Sequence, residues 1–360
     1  MAGGGAAKAA ALFIGAVIGA GFASGQEILQ FFGVYGTRGI AGALWSAVAF
    51  AYLGAVIQLS AVRLRATSYR DVLAYFLGPR LGRLMDTLST FMLGGGLVVM
   101  LAGSGAVLHQ QFALPPAAGI LLLAALTTAV LYWGLSGVVA VNAVLVPLKI
   151  LLILLVAFLA GGTAPPAPGG PPPGADGGPE WAWSAVLYVS YNLVVPLAVL
   201  SSLGRYLRPG EAVAGAAGAG LALGGTAALV TWAIVQNLPA AASYQVPMLY
   251  LAGMVSPVLQ SLVSAVVWVA VFTTAIANAH GLASRLARRG SGGYRRLAFI
   301  VTFGLAPAAF FPFADLVGLL YPLFGYLGLA LILAIAVNPL AGFWRRPPKK
   351  FSTGLPGHRR

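Results

Sequence analysis

GAVIGAGFASGQE, residues 15–27, lies inside an apolar run from about Ala9 to Phe32. The run is long enough to cross a bilayer, which takes roughly 20 apolar residues. Gly19, Gly21 and Gly25 crowd its centre, and Ser24, Gln26 and Glu27 stand just beyond or among them. Glycine permits backbone conformations that break a helix and lets another group approach the main chain. A carboxylate just past such a break is costly in lipid. Freed backbone groups at that depth are tolerated only where protein or an internal cavity satisfies them. Gly15 and Gly19, four apart, would alone fit a helix-packing face. The tighter glycine cluster followed by an acid predicts a helix broken at mid-membrane, the form in which many secondary transporters build their sites.

Composition sets the class. Of 360 residues, 59% are hydrophobic and 8% charged, and the mean hydropathy is +0.91. Seven acidic residues cannot solubilise a globular surface of this size. Repeated apolar runs near or above 18 residues read as an all-α integral membrane protein. A transmembrane β-barrel would alternate apolar and polar residues, and this chain does not. The net charge of +14 sits in short loops between apolar runs. Anionic lipid headgroups, rather than nucleic acid, are its expected partners. There is no cysteine, and His109, His280 and His358 are scattered, so no metal or cofactor is expected. The N-terminus lacks a cleavable signal pattern.

About ten spans are expected: roughly 9–32, 39–62, 84–108, 117–133, 138–160, 182–203, 212–235, 262–284, 297–313 and 317–341. A basic, partly amphipathic connection joins the second and third, and residues 248–256 read as a short re-entrant or surface helix. Residues 161–179, dense in Pro and Gly, read as a flexible external linker between two halves. With the N-terminus inside, every Lys and Arg except Arg38 and Lys149 falls on an inner segment. That asymmetry predicts both termini in the cytoplasm. The whole chain then forms one transmembrane transporter domain. It has a first repeat of about 9–160, an external loop of 161–180, a second repeat of about 182–341 and a basic tail of 342–360. As inverted repeats, the halves match span one with span six. Span six is expected to be interrupted at Ser190-Tyr191-Asn192, before Pro196.

Four spans place unusual residues near their midpoints: Ala20–Gly21, Lys149, Asn192 and Thr273-Thr274. A lysine at the bilayer centre is a functional-site candidate, as proton carrier or cation stand-in, or else a structural tether. Glu27 could pair with a polar neighbour, hold the broken helix or take part in proton movement. Thr273 and Thr274 could ligate Na⁺ beside broken-helix carbonyls, or bond back to their own helix. Tyr191 and Asn192 could line a pocket. Asn278 and His280 are expected near the inner end of span eight. Asp71, Asp86, Asp176 and Asp315 stand isolated in the sequence.

GAVIGAGFASGQEILQFF, residues 15–32, with the spacing of the ten spans, resembles the YkvI-like bacterial membrane proteins. That family is similar to the amino acid–polyamine–organocation (APC) superfamily, whose LeuT-type fold has five plus five helices in inverted repeat with helices one and six broken. Residues 141–149, VNAVLVPLK, look like the fifth helix of APC amino-acid transporters. The resemblance implies that Gly19, Ala20, Gly21, Phe22, Ala23, Ser24 and Gly25 form the unwound part of helix one, whose amides hold a substrate carboxylate. It implies that Ser190–Asn192 is the unwound part of helix six. It places Lys149 where sodium-coupled relatives bind a cation, while Thr273-Thr274 resembles the hydroxyl pair of those same sodium-coupled members. It also implies a bacterial cytoplasmic membrane.

The expected function is alternating-access transport of a small solute, an amino acid or related carboxylate or amine. Coupling would be to protons or sodium-independent through Lys149. The alternatives are a sodium symporter using Thr273 and Thr274, or a sensor on a transporter fold. An integral membrane enzyme would need clustered acids or His-acid pairs, and a channel would need repeated polar rings. The sequence shows neither, so no catalytic residue is expected. It leaves the solute and the oligomeric state open.

Overall fold

A computed structural model describes residues 3–66, 68–133, 136–163, 180–194, 196–288 and 293–342. Among these residues all regular structure is helical. The first stretch divides into α1 (Gly3–Val17), α2 (Ala20–Ser24) and α3 (Gln26–Phe31). The first half continues with α4 (Thr37–Leu64), α5 (Tyr69–Phe112), α6 (Pro116–Trp133) and α7 (Ser136–Thr163). The second half opens with α8 (Glu180–Val194), α9 (Pro196–Ser202) and α10 (Pro209–Gln236). It closes with α11 (Pro247–Val255), α12 (Pro257–Arg288), α13 (Tyr294–Leu305) and α14 (Phe313–Gly342). Helix thus stands on each of the ten expected stretches. Seven helices are long and apolar enough to cross a membrane, or eight if α8 and α9 are one bent span. The 15-residue α1 and the 12-residue α13 are shorter.

The structure moves some boundaries. α7 continues to Thr163, into the start of the expected linker. The connection before span three is itself helical, so α5 reaches 44 residues. Its first part, an arm over residues 69–77, is capped by Ser68, whose amide donates to Asp71 Oδ2 at 3.0 Å. The arm meets the span at Gly78, with φ 74° and ψ 174°, followed by Pro79. Only glycine takes that conformation easily, and a following proline disfavours helical backbone before it. The linker from 164 to 179 and the tail from 343 lie outside the described residues.

Packing partners repeat at an interval of five spans. Span one packs on seven (α1 on α10), and span six on two (α8 on α4). Span three packs on four (α5 on α6), and eight on nine (α12 on α13). Span five packs on seven (α7 on α10), and ten on two (α14 on α4). The α4–α10 seam is backbone-close. A Cβ added at Gly220 would stand 2.6 Å from Ala47 O and Ala51 N. Small residues permit that approach, which supplies the dispersion contacts that join helices in lipid. Large apolar side chains such as Val48, Leu151, Phe158, Leu221 and Val258 are exposed on the outside of the bundle. In a bilayer that surface faces hydrocarbon.

Candidate functional site

The first span breaks twice. Ile18 N still donates to Ile14 O (2.8 Å), but Gly19 N turns to Val17 O (2.7 Å). Gly19 is extended, with φ −86° and ψ −165°. Helical bonding resumes when Ala23 N donates to Gly19 O at 3.1 Å. The amides of Ala20, Gly21 and Phe22 therefore open a new helix and have no acceptor within it. The second break is at Gly25, which is left-handed at φ 79°. Ser24 closes this turn. Its Oγ donates to Gly21 O (2.7 Å) and accepts from Gln26 N (3.2 Å). Met248 of α11 covers the turn, its Cγ 2.8 Å from where a Gly25 Cβ would be.

Span six bends by 52° between α8 and α9. Ser190, Tyr191 and Asn192, expected to be unwound, are helical residues of α8. The physical reason lies in Pro196. Proline cannot donate to the carbonyl four residues back and its ring clashes there. The lost bond is the one to Asn192 O, and the residues of α8 up to it stay helical.

Asn192 joins the two interrupted spans. Its Nδ2 donates to Glu27 Oε1 at 3.0 Å and to Tyr188 O at 3.1 Å. Glu27 is only 2% exposed. Its other oxygen, Oε2, lies 2.7 Å from the position a Cβ would take on Gly21, with the Tyr321 hydroxyl 2.9 Å from the same point. Gly21 is thus the surface against which Glu27 and Tyr321 close. Tyr321 stacks on Tyr191 at 4.6 Å between ring centroids. Phe31 lies on Tyr191 at 6.5 Å, and Phe324 beside Tyr321 at 6.2 Å. Tyr188 sits edge-on to Phe31, Phe32 and Phe50. Its hydroxyl is buried without a hydrogen-bond partner among the described residues. Two serines hold these elements in register. Ser184 Oγ donates to Phe31 O (2.7 Å), and Ser190 Oγ to Gly325 O (2.6 Å).

A cavity of about 430 Å³ opens beside the aromatic stack. Gln30, Phe31, Tyr35, Glu180, Trp183, Ser184, Leu187, Pro322 and Tyr326 line it. Phe31 belongs to both cavity and stack. Leu187 is one turn before Tyr191, and Pro322 is next to Tyr321.

Lys149 is 4% exposed on α7. Among the described residues its ammonium has no hydrogen-bond or ion-pair partner. Val146, one turn earlier, packs on Gly15 near the end of α1, at 3.5 Å from a Cβ built there, and α7 also touches α2. On α12, which packs on α2, the hydroxyls of Thr273 and Thr274 both donate to Ala270 O, at 3.2 and 2.8 Å.

Comparison with known proteins fits this geometry. No family model matches the chain. YyaD of Bacillus subtilis (strain 168) is 29% identical over 338 residues, covering 93% of this chain and 97% of that one. The membrane protein YkvI of the same organism is 29% identical over 341 residues, covering 92% and 95%. The chain is a homologue of YyaD and YkvI. Among solved structures, Mhp1 in its inward-facing conformation matches with a TM-score of 0.56 at 16% identity, covering 93% of this chain and 76% of that one. With seven or eight apolar spans among its described residues this homologue is a multi-pass membrane protein, and it shares the LeuT-type fold of Mhp1.

In this YkvI homologue the structure gathers Gly21, Glu27, Tyr191 and Asn192 into one cluster, with Ala20, Phe22, Ala23 and Ser24 buried behind it. Lys149, Thr273 and Thr274 make no hydrogen bond to that cluster among the described residues. Tyr188, Tyr321 and Phe324 were not singled out in the sequence. On an apolar helix an aromatic residue that lines a site looks like one that faces lipid. Asp86, isolated in sequence, accepts from the Tyr69 hydroxyl and pairs with Arg70 (3.3 Å) and Arg285 (3.6 Å). It ties the arm of α5 to α12. His280 Nδ1 bonds the Tyr294 hydroxyl at 2.7 Å, and the Asn278 amide packs on Gly96.

Proposed function

We propose that the chain is a secondary transporter of a small amino-acid-like solute, a carboxylate or amine, working by alternating access. The observation that carries this is the Glu27–Asn192 hydrogen bond between two interrupted spans on a LeuT-type fold. A broken helix exposes backbone groups at the depth where a solute must be held, and a pair of them supplies a hinge. In this reading Gly19–Gly25, Tyr191 and Asn192 form the solute site. The described conformation has Glu27 and Tyr321 filled in against Gly21, so loading requires their rotation. The five-span interval of packing partners supports two inverted repeats within a single transport domain. Charge distribution supports cytoplasmic termini in a bacterial cytoplasmic membrane, which puts the 430 Å³ cavity on the outer side.

For coupling we favour a sodium-independent, proton-linked cycle through Lys149. A buried lysine without a partner changes its local energy steeply with protonation. Both Thr273 and Thr274 spend their protons on Ala270 O, the ordinary structural use of such hydroxyls. Uptake of labelled solutes into proteoliposomes, with imposed proton or sodium gradients, tests the proposal. Flux driven by sodium and lost in Thr273→Ala would transfer the coupling role to α12. Saturable binding without flux would make the protein a sensor.

A further inference from the structure

The buried carboxylate at the centre of the molecule lacks a cation. Glu27 receives one hydrogen bond, from Asn192 to Oε1. Among the described residues Oε2 has no donor, and no Lys, Arg or His forms an ion pair with Glu27. Buried carboxylates are ordinarily paired, because an isolated charge in a medium of low polarity is strongly disfavoured. Tyr321 closes with Glu27 against Gly21, and Tyr191, with Phe31 on it, and Phe324 pack around that ring. The Tyr191 and Tyr321 faces are turned to each other, but the Tyr321 hydroxyl stands beside the same point as Oε2 and offers an ammonium group a second oxygen acceptor.

The cavity beside this cluster carries the same sign. Among the described residues the cavity beside the stack is lined by one acid, Glu180, and by Tyr35, Trp183 and Tyr326, with no basic side chain. On the outer side the sequence places Arg38 alone among the basic residues, and the one formal charge on the described lining, Glu180, is negative. A concave site with one sign of charge concentrates solutes of the other. Lys149 is not among the residues lining the cavity. It sits on α7, whose Val146 packs near the end of α1, while Glu27 lies beyond α2.

We infer that the solute carries a cationic nitrogen on an apolar body, and that Glu27 Oε2 and the Tyr191–Tyr321 wall are its receptor, reached past Glu180. Glu27 is then a specificity-determining residue in direct contact with solute, rather than a coupling group. The inference deepens the proposed transport function and depends on its placement of the solute site.

The test uses the full chain in nanodiscs, with n-butylammonium and butyrate as probes of equal carbon count and opposite charge. Thermal shift and calorimetry read binding, which raises apparent stability when a ligand prefers the folded state. Expected is binding of butylammonium and none of butyrate. Glu27→Gln should weaken butylammonium about tenfold or more, the usual scale for losing a charge-assisted bond. Glu180→Gln, at an exposed site that the core does not need, should slow its association and reduce the dependence of that rate on salt. The Glu180 variant keeps the idea testable should Glu27→Gln fail to fold. Stronger binding of butyrate, no binding of butylammonium, or unchanged butylammonium affinity in folded Glu27→Gln would each overturn it. Proteoliposome flux separates this inference from the transport reading. Ammonium binding without flux would sink transport and keep the receptor. Flux of an anionic solute, indifferent to Glu27, would keep transport and sink the receptor.

Discussion

Asn192 and Glu27, 165 positions apart in sequence, share a buried hydrogen bond of 3.0 Å. The same amide group also reaches Tyr188 O on its own helix at 3.1 Å. Both of its donor hydrogens are therefore used, one within α8 and one across to α3. With the bond from Ser184 Oγ to Phe31 O, it joins the two interrupted spans.

Asn192→Ala removes the donor to Glu27 and leaves Oε1 buried without one. An orphaned buried acceptor costs about 1–3 kcal/mol. We expect a lower apparent melting temperature in detergent, with the protein still inserted and monodisperse. Asn192→Asp should be worse than Asn192→Ala, since it sets a second acid against Glu27. An equal or higher melting temperature in Asn192→Asp would contradict the geometry.

Gly21→Ala places a methyl group 2.7 Å from Glu27 Oε2 and 2.9 Å from the Tyr321 ring. Glu27 can yield, but Tyr321 is held between Tyr191 and Phe324. Overpacking of this kind costs roughly 1–3 kcal/mol. Gly21→Leu should abolish solute binding while leaving membrane insertion intact. Unchanged affinity in Gly21→Leu would place the site elsewhere.

Lys149→Ala should abolish the pH dependence of uptake and leave flux running only down the solute gradient. The motive is a lysine at 4% exposure with no ion-pair partner among the described residues. Removing it should also leave the protein at least as stable, because a lone buried charge is itself unfavourable. Thr273→Ala should have a smaller effect on uptake. A pH-responsive Lys149→Ala, combined with sodium-driven uptake lost in Thr273→Ala, would reverse the assignment.

Asp86→Ala should loosen the arm of α5. It deletes the acceptor for the Tyr69 hydroxyl and Arg70 and the ion-pair partner of Arg285, whose hydrogen bonds to Asp86 O and Thr90 Oγ1 remain. The pairs are partly exposed, and such pairs contribute only about 0–1 kcal/mol. Global stability should therefore change little. Hydrogen exchange over residues 69–77 should quicken, because Gly78 supplies a ready hinge. Unaltered exchange there would show that apolar packing of Val72 and Leu73, both buried, holds the arm alone.

Much of this molecule is legible from composition and spacing. The ten apolar stretches, the break at Gly19–Gly25 and the short helix after Pro247 follow from local rules. Hydrocarbon forces each stretch into helix, and glycine or proline marks where helix cannot continue. Lys149 and Glu27 stand out because charge in an apolar run is rare. The resemblance of residues 15–32 to the YkvI-like proteins pointed to the same fold.

Tertiary structure decided what local rules could not. It kept Ser190–Asn192 helical within α8 and bent span six by 52° between α8 and α9, where Pro196 cannot continue the hydrogen-bond ladder. It brought Asn192 to Glu27, and Tyr321 of the last span to Gly21 of the first. Aromatic residues on an apolar helix carry no label for the face they occupy, so the wall of Tyr188, Tyr191 and Tyr321 emerges only when spans one, six and ten meet. It also made Asp86 a three-way anchor. A sequence states which groups are polar and how deep they lie. Which of them touch depends on helix rotation and neighbour choice, and those are fixed by packing contacts between residues far apart in the chain.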